Sequence, residues 1–203
     1  ISIADRAFQG DSSILSVFIP DGIESLGRNV FHDCRSIYSI TIPNSVKFIG
    51  TECFWDARSI EEIVLSSSLE SLEYNTFVYC CNLHRIRIPE GVRSIGKDCF
   101  VSCHALESIS LPTTLEEISR GVFFDCTSLS SITIPEGVIT IGDYAFELCP
   151  NLVDVYNLSP VPQPVTSIFG SRASEICLHV PSESVKAYSE DPVWGACTVV
   201  GIE

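Results

Sequence analysis

A strict period of 23 residues runs through most of this chain and constrains its fold more than any other feature. Six copies of the repeat begin at an aliphatic residue and follow one another without insertion or deletion. Their first residues are Ile14, Ile37, Ile60, Leu83, Leu106 and Leu129. A unit of this length cannot bury its own apolar face, so it must stack on a copy of itself. The period therefore predicts a solenoid.

Phenylalanine occupies the eighteenth position of every repeat. An incomplete repeat at the start of the chain adds a seventh member to this column. The members are Phe8, Phe31, Phe54, Phe77, Phe100, Phe123 and Phe146. A ring this large in every coil predicts an interior ladder, in which neighbouring rings stack at roughly the 4.8 Å spacing of neighbouring strands.

Other columns predict two extended segments in each coil. Positions 4 and 6, such as Ile40 and Ile42, alternate with mostly polar residues, which is the pattern of a half-buried strand. Positions 10 and 13, such as Val46 and Ile49, predict a second and shorter strand. A proline such as Pro43 marks the corner between them, because proline cannot donate to a strand ladder.

The third repeat departs most from this pattern. Ser66 replaces the corner proline, Glu73 replaces a glycine and Thr76 replaces a small residue. We therefore expect the third coil to be locally distorted.

The run from Ile134 to Cys149 reads I-P-x-x-V-x-x-I-G-x-x-A-F-x-x-C and resembles the BspA-like class of leucine-rich repeats. The resemblance extends over about two thirds of the chain through six in-phase copies. It implies an α/β-type repeat solenoid, a right-handed leucine-rich-repeat-like coil with a parallel β-sheet on one face and short second strands and turns. Members are generally secreted or cell-surface proteins implicated in attachment, so the resemblance also implies an extracellular or cell-surface location.

The expected domain organisation has two parts. Residues 1–157 form the leucine-rich repeat solenoid, with a partial first repeat, six full repeats and a last strand, and residues 158–203 form a C-terminal cap. Within the cap we expect strands at 176–180 and 198–202 and a short helix at 181–188. Since terminal repeats must hide an apolar end, Phe169, Tyr188 and Trp194 are expected to cover the core.

Composition narrows the function classes. A net charge of −14 with only 12 basic residues argues against a nucleic-acid partner, whose phosphates would be repelled. No apolar run approaches the ~18 residues of a membrane span. Because the chain has no Met and begins in mid-repeat, we expect a mature or excised fragment of a longer protein with more repeats upstream. We also expect a monomer.

Ten cysteines suggest disulfides or a metal site, but their columns indicate otherwise. Five of them share one column in which Ala57 fills the missing place, so they are interpreted as buried, free thiols acting as small apolar side chains. A bond between Cys177 and Cys197, outside the repeats, remains an alternative. The group Cys99, Cys103 and His104 lacks a fourth ligand, so no metal and no cofactor is expected.

No catalytic motif is present, so the chain is not expected to be an enzyme. Serine and threonine dominate the outward positions of the main strand, and a few larger side chains stand out from them. These candidate partner-binding residues are Phe18, Tyr38, Glu62, His84, Arg85, Arg87 and Tyr156. Aromatic and arginine side chains are the usual anchors of protein interfaces. Pairing across strands, with Glu62 beside Arg85, is the structural alternative.

Two functions fit these patterns. One is a recognition or adhesion module that binds a protein or cell-surface partner through the repeat face. The other is a passive spacer or scaffold repeat in a larger surface protein. A patch of Tyr and Arg on the strand face favours the first, whereas a uniform Ser and Thr face favours the second.

Overall fold

The computed structural model describes all 203 residues and arranges them as a stack of parallel coils. Each full repeat contributes one longer and one shorter strand, and where repeat strands pair, the partners are 23 residues apart. The register is regular: Ser16 pairs with Ser39, which pairs with Glu62. The predicted parallel solenoid with two strands per coil is therefore confirmed.

The strands are numbered in chain order. The longer series contains β2 (Ser16–Phe18), β4 (Ser39–Thr41), β6 (Glu62–Val64), β8 (Arg85–Arg87), β10 (Ser108–Ser110), β12 (Ser131–Ile134), β14 (Asp154–Asn157), β15 (Cys177–Pro181) and β16 (Thr198–Ile202). The shorter series contains β1 (Ser2–Ile3), β3 (Ser25–Leu26), β5 (Phe48–Ile49), β7 (Ser71–Leu72), β9 (Ser94–Ile95), β11 (Glu117–Ile118) and β13 (Thr140–Ile141).

Helix is scarce. The single α-helix, α1 (Val185–Glu190), lies near the C-terminus, and three short 3-10 segments occupy Gly170–Glu175, Ser182–Ser184 and Trp194–Ala196. No helix is long and apolar enough to cross a membrane. The α/β label is thus not confirmed, because the coils consist of strands and turns. Right-handedness remains a prediction.

The phenylalanine ladder forms as predicted and extends one rung further. Ring centroids of neighbours lie 5.2–5.8 Å apart, with interplanar angles of 4–23°. The additional rung is Phe169, which stacks on Phe146 and meets the edge of Trp194. At the other end, Phe8 is 38% exposed. The ladder is therefore covered at its C-terminal end and open at its N-terminal end.

Left-handed backbone conformations flank each ladder phenylalanine from Phe8 to Phe146. Two residues before and two residues after the ring, φ is positive in all seven coils, for example at Asn29 (57°) and Asp33 (61°) around Phe31. Asparagine, aspartate and glycine tolerate this region best, and they fill many of these positions. The paired residues are 6 and 10, 29 and 33, 52 and 56, 75 and 79, 98 and 102, 121 and 125, and 144 and 148. These turns aim one ring per coil into the core.

The cysteine column has a role beyond filling space. The Cys103 thiol donates to the carbonyl oxygen of Phe77, 3.2 Å away, and Cys126 donates to Phe100 in the same way. Cys34, Cys80 and Cys149 repeat this contact. All ten cysteines are free. The interpretation of the column as simple apolar filler is therefore incomplete, because each thiol also satisfies a backbone carbonyl beside the ladder.

The third repeat borders two interruptions of the sheet. In the longer series β6 does not pair with β8, and in the shorter series β5 does not pair with β7. This agrees with the expected distortion. Ser66 and Thr76 are buried, and their hydroxyls donate to carbonyl oxygens of Val46 and Glu73. A further interruption, between β10 and β12, was not predicted.

The C-terminal segment continues the longer sheet. Strands β14, β15 and β16 pair in parallel, so the stacking extends beyond residue 157, while the domain boundary itself stays a prediction. Phe169, Tyr188 and Trp194 are buried, as expected for a cover over the core. The Trp194 indole donates to the carbonyl of Gln163, and the Tyr188 hydroxyl donates to that of Ser159. Burial raises the pKa of Tyr188 to about 12.

Candidate functional site

The outward face of the longer strands carries the candidate residues. In β4, β6 and β8 the central residue is buried and its two neighbours are exposed. Phe18 is 88% exposed, Tyr38 57% and Val64 48%. Phe18, Thr41 and Val64 form one continuous row across β2, β4 and β6. Large apolar side chains therefore remain in solvent on this face.

Arg85 and Arg87 lie on β8, at the interruption between β6 and β8. Neither guanidinium has a carboxylate within 4.0 Å, and neither donates a hydrogen bond within the protein. The cross-strand pairing with Glu62 is therefore not made. A shallow groove opens along the interruption, between Glu62 and Val64 on one side and Arg85 and Arg87 on the other.

Several other arginines on the surface pair with carboxylates. The guanidinium groups of Arg35 and Arg58 both pair with Asp56, whose side chain is nearly buried. Burial acts to raise the pKa of Asp56, but hydrogen bonds, those from Arg58 and Arg35 among them, lower it overall. Arg93 pairs with Glu116 on the neighbouring coil. Against this background, two adjacent unpaired arginines form a distinct positive feature on an acidic molecule.

Tyr38 and His84 lie on the edge of the same face. The pKa of Tyr38 is raised, chiefly by the neighbouring Glu61 carboxylate. His84 lies 3.7 Å from a Glu107 carboxylate oxygen. These residues line a small depression together with Glu62 and Arg85. We call Phe18, Tyr38, Glu62, His84, Arg85 and Arg87 the strand-face cluster.

Tyr156 lies apart from this cluster. It occupies the same row as Arg87 but three strands further along, roughly 14 Å at the usual strand spacing. Its ring stacks on His179, with centroids 4.3 Å apart, and it is only partly exposed. The structure thus brings five of the seven candidate residues together on or next to β4, β6 and β8. Phe18 also lies three strands from Arg87, in the opposite direction, but it belongs to the exposed row that continues through Val64. Tyr156 is in a different environment, because its ring stacks on His179.

A second aromatic surface lies on the turn side of the coils and was missed in the sequence. Trp55 stacks on His32 and meets the edge of Tyr79, at centroid distances of 5.9 and 6.0 Å. Further along, the Arg120 guanidinium lies 5.0 Å from the centroid of the Tyr144 ring. We call this surface the turn-face groove; its lining includes Trp55, Val78, Tyr79, Phe124 and Tyr144. The sequence did contain a signal for this surface. Its aromatic residues either follow a ladder phenylalanine directly or lie two residues before or after it.

The family of the chain follows from its repeats. The model of the BspA-type leucine-rich repeat region matches six copies, over residues 1–109 and 93–172. The chain belongs to this family. Proteins of this class are generally surface-associated protein-interaction modules, which agrees with exposed residues on a rigid repeat face. A comparison with curated proteins returned no match.

Solved structures show the same fold. A leucine-rich repeat protein of T. pallidum is 31% identical, with a TM-score of 0.70 over 76% of this chain and 72% of that protein. A leucine-rich cell surface protein of Faecalibacterium prausnitzii is 23% identical, with a TM-score of 0.72 over 91% of this chain and 59% of that protein. A leucine-rich repeat protein from Bacteroides ovatus is 22% identical, with a TM-score of 0.52 over all of this chain and 70% of that protein.

Proposed function

We propose that this chain is a non-catalytic recognition or adhesion module, displayed outside the cell, that binds a protein or cell-surface partner through the strand-face cluster. The observation that carries the proposal is the pair of unpaired arginines, Arg85 and Arg87, beside exposed apolar side chains. The description of the F. prausnitzii neighbour as a cell surface protein supports the location.

The chemistry of the cluster defines the partner that it would accept. Arginine presents several N–H donors in a planar fork that matches a carboxylate, and it carries less tightly held water than lysine does. Phe18 and Val64 are aligned in the same row as Arg87 and offer apolar contact area. The cluster therefore suits a partner segment that combines carboxylates with aromatic or aliphatic side chains.

The alternative is a passive spacer that holds another domain away from a surface. The strand face beyond β8 favours it, because Ser108, Ser110, Ser131 and Thr133 present only small hydroxyl groups. A regular solenoid is also a suitable rigid spacer. The two functions differ in whether the strand-face cluster contributes binding energy.

A double substitution, Arg85→Ser with Arg87→Ser, separates the two functions. It copies the serines of β10 and should leave the coil folded, since both side chains are exposed. The unmodified chain is first tested against a panel of purified extracellular matrix and cell-surface proteins by biolayer interferometry. For a partner found there, the double variant should bind at least tenfold more weakly, or about 1.4 kcal/mol. Binding should also weaken with added salt.

The matched control is Arg28→Ser with Arg93→Ser. It removes the same charge from exposed arginines outside the strand-face cluster, so it should leave affinity within about twofold if the arginines act as local anchors. Equal losses in both variants would indicate only long-range attraction. A loss confined to Tyr79→Ser with Tyr144→Ser would move the site to the turn-face groove. Absence of binding across the panel would favour the spacer.

A further inference from the structure

Four side chains form a block on the outward face of β14 and β15. Asp154 lies directly opposite Cys177, and Tyr156 lies directly opposite His179. Cys177 and His179 are two residues apart on one strand, so they point to the same side of the sheet. This juxtaposition is separate from the strand-face cluster and was not evident in the sequence, where Cys177 was considered only as a partner of Cys197.

Three of these residues present metal-binding atoms at close range. One ligand atom each from Asp154, Cys177 and His179 lie within 4.8 Å of one another. The His179 Nε2 atom is 2.8 Å from an Asp154 carboxylate oxygen. The ring of Tyr156 stacks on the imidazole at an interplanar angle of 11°, which restricts its rotation. No other group of three such donors occurs in the structure.

We propose that Asp154, Cys177 and His179 form a binding site for a zinc-like divalent metal ion. Thiolate, imidazole and carboxylate are the three ligand types that zinc prefers. Bond lengths of about 2.0–2.3 Å in a tetrahedron place neighbouring ligand atoms about 3.3–3.6 Å apart, so small side-chain rotations suffice to close the site. Three protein ligands leave one position for water or for a partner's side chain.

Cys177 differs from the thiols of the ladder in ways that suit a ligand. Burial raises the pKa of Cys53 and Cys149 to about 12, which keeps these thiols protonated, and the Cys149 thiol also donates to a backbone carbonyl. Cys177 is only partly buried, lies on the outward face and makes no hydrogen bond through its sulfur. Metal binding would release the thiol proton of Cys177, while the neutral His179 imidazole would keep its N–H on the nitrogen that does not bind the metal.

A simple cross-strand hydrogen bond is the competing explanation, and the molecule contains a control for it. His104 and Asp125 form a similar pair, 3.0 Å apart, on another part of the surface. That pair lacks a third metal-binding atom within the same distance. The proposal therefore depends on the thiol, and it predicts different metal binding at two otherwise comparable pairs.

The test is a cobalt titration of the reduced, chelator-treated chain. Cobalt(II) is expected to bind with one equivalent and to give a near-ultraviolet charge-transfer band from a thiolate ligand, which zinc then removes. Cys177→Ser should abolish the band. His179→Gln and Asp154→Asn should each weaken cobalt affinity at least tenfold, and His104→Gln should change it less than twofold. Affinity should fall between pH 8 and pH 6, because protons compete for the ligands.

The results that overturn the proposal are equally specific. No saturable binding at one equivalent, or binding without a thiolate band, would leave a structural His179–Asp154 pair. A band that survives Cys177→Ser would place the metal on another cysteine. Thermal melts of each variant without metal show whether the strand remains folded, and Cys177→Ala gives a second variant if Cys177→Ser melts early. Loss of partner binding at the strand-face cluster has no bearing on this result.

Discussion

Truncation of the phenylalanine ladder should cost less stability at its open N-terminal end than in its middle. Phe100 is fully buried and stacks on two rings, at 5.2 Å from Phe77 and 5.7 Å from Phe123. Phe8 is 38% exposed and stacks on one ring only. We therefore expect Phe100→Ala to destabilise the chain more than Phe8→Ala, because a solenoid is stabilised by contacts between neighbouring coils.

The magnitudes follow from burial and stacking. Removing a fully buried phenylalanine costs about 3–5 kcal/mol, including the cavity that remains. Each stacked pair contributes about 0.5–1.5 kcal/mol of that loss. Phe8 has one such pair and is incompletely buried, so Phe8→Ala should cost about 1–3 kcal/mol. Phe169→Ala should resemble the interior substitution, because Trp194 covers the far side of that ring.

Equilibrium urea denaturation followed by tryptophan fluorescence measures these losses, with Trp55 and Trp194 as probes in different coils. Native-state hydrogen exchange shows whether the first coil opens separately from the rest. Equal losses at Phe8 and Phe100, with unchanged denaturant slopes, would contradict stacking between neighbouring coils as the source of stability. A loss at Phe169 as small as that at Phe8 would show that Trp194 does not close the ladder.

Two further predictions concern the buried thiols. Burial raises the pKa of Cys103 and Cys126 well above the usual range, so both thiols should react slowly in the folded chain. Alkylation followed by mass spectrometry should leave both unlabelled until the chain unfolds. A disulfide-linked Cys103–Cys126 peptide would show that the column does not consist of free thiols. The pKa of Cys53 rises from 9.0 to about 12 on folding, so its contribution is complete below pH 9 and is lost as pH rises towards 12. The substitution Cys53→Ala copies Ala145 in the same column. Between pH 9 and pH 11 the free energy of unfolding should therefore fall less for this variant than for the unmodified chain. Urea melts that show the same pH dependence for both proteins would refute this.

The sequence predicted the features that recur with the repeat. Phe31 and Phe54 occupy equivalent positions in identical units, so stacking one unit on the next brings their rings together. The same reasoning predicted both strand series and the buried cysteine column. The cover formed by Tyr188 and Trp194 lies outside the repeats and was predicted because the last repeat must hide its apolar end. Local chain geometry and the burial of apolar columns determine the features that recur, and the repeated residue pattern specifies both.

The sequence also contained signals that were interpreted incompletely. The thiol columns were assigned to packing, whereas Cys103 also donates to the Phe77 carbonyl. Asparagine and aspartate recur around the ladder ring because the backbone there is left-handed, as at Asn29 and Asp33. The pattern was visible, but the hydrogen-bond partner and the sign of φ were not.

The sequence indicated a distortion near the third repeat, but only the tertiary structure decided which strands fail to pair and which side chains meet across coils. The period places Glu62 beside Arg85, yet β6 and β8 do not pair and the two arginines of β8 stay free. Asp154 and His179 are 25 residues apart, off the 23-residue register by two, and meet only diagonally across β14 and β15. A repeat specifies the average position of each column. The distance between two particular side chains depends on the local displacement of their strands, which results from packing of the whole stack.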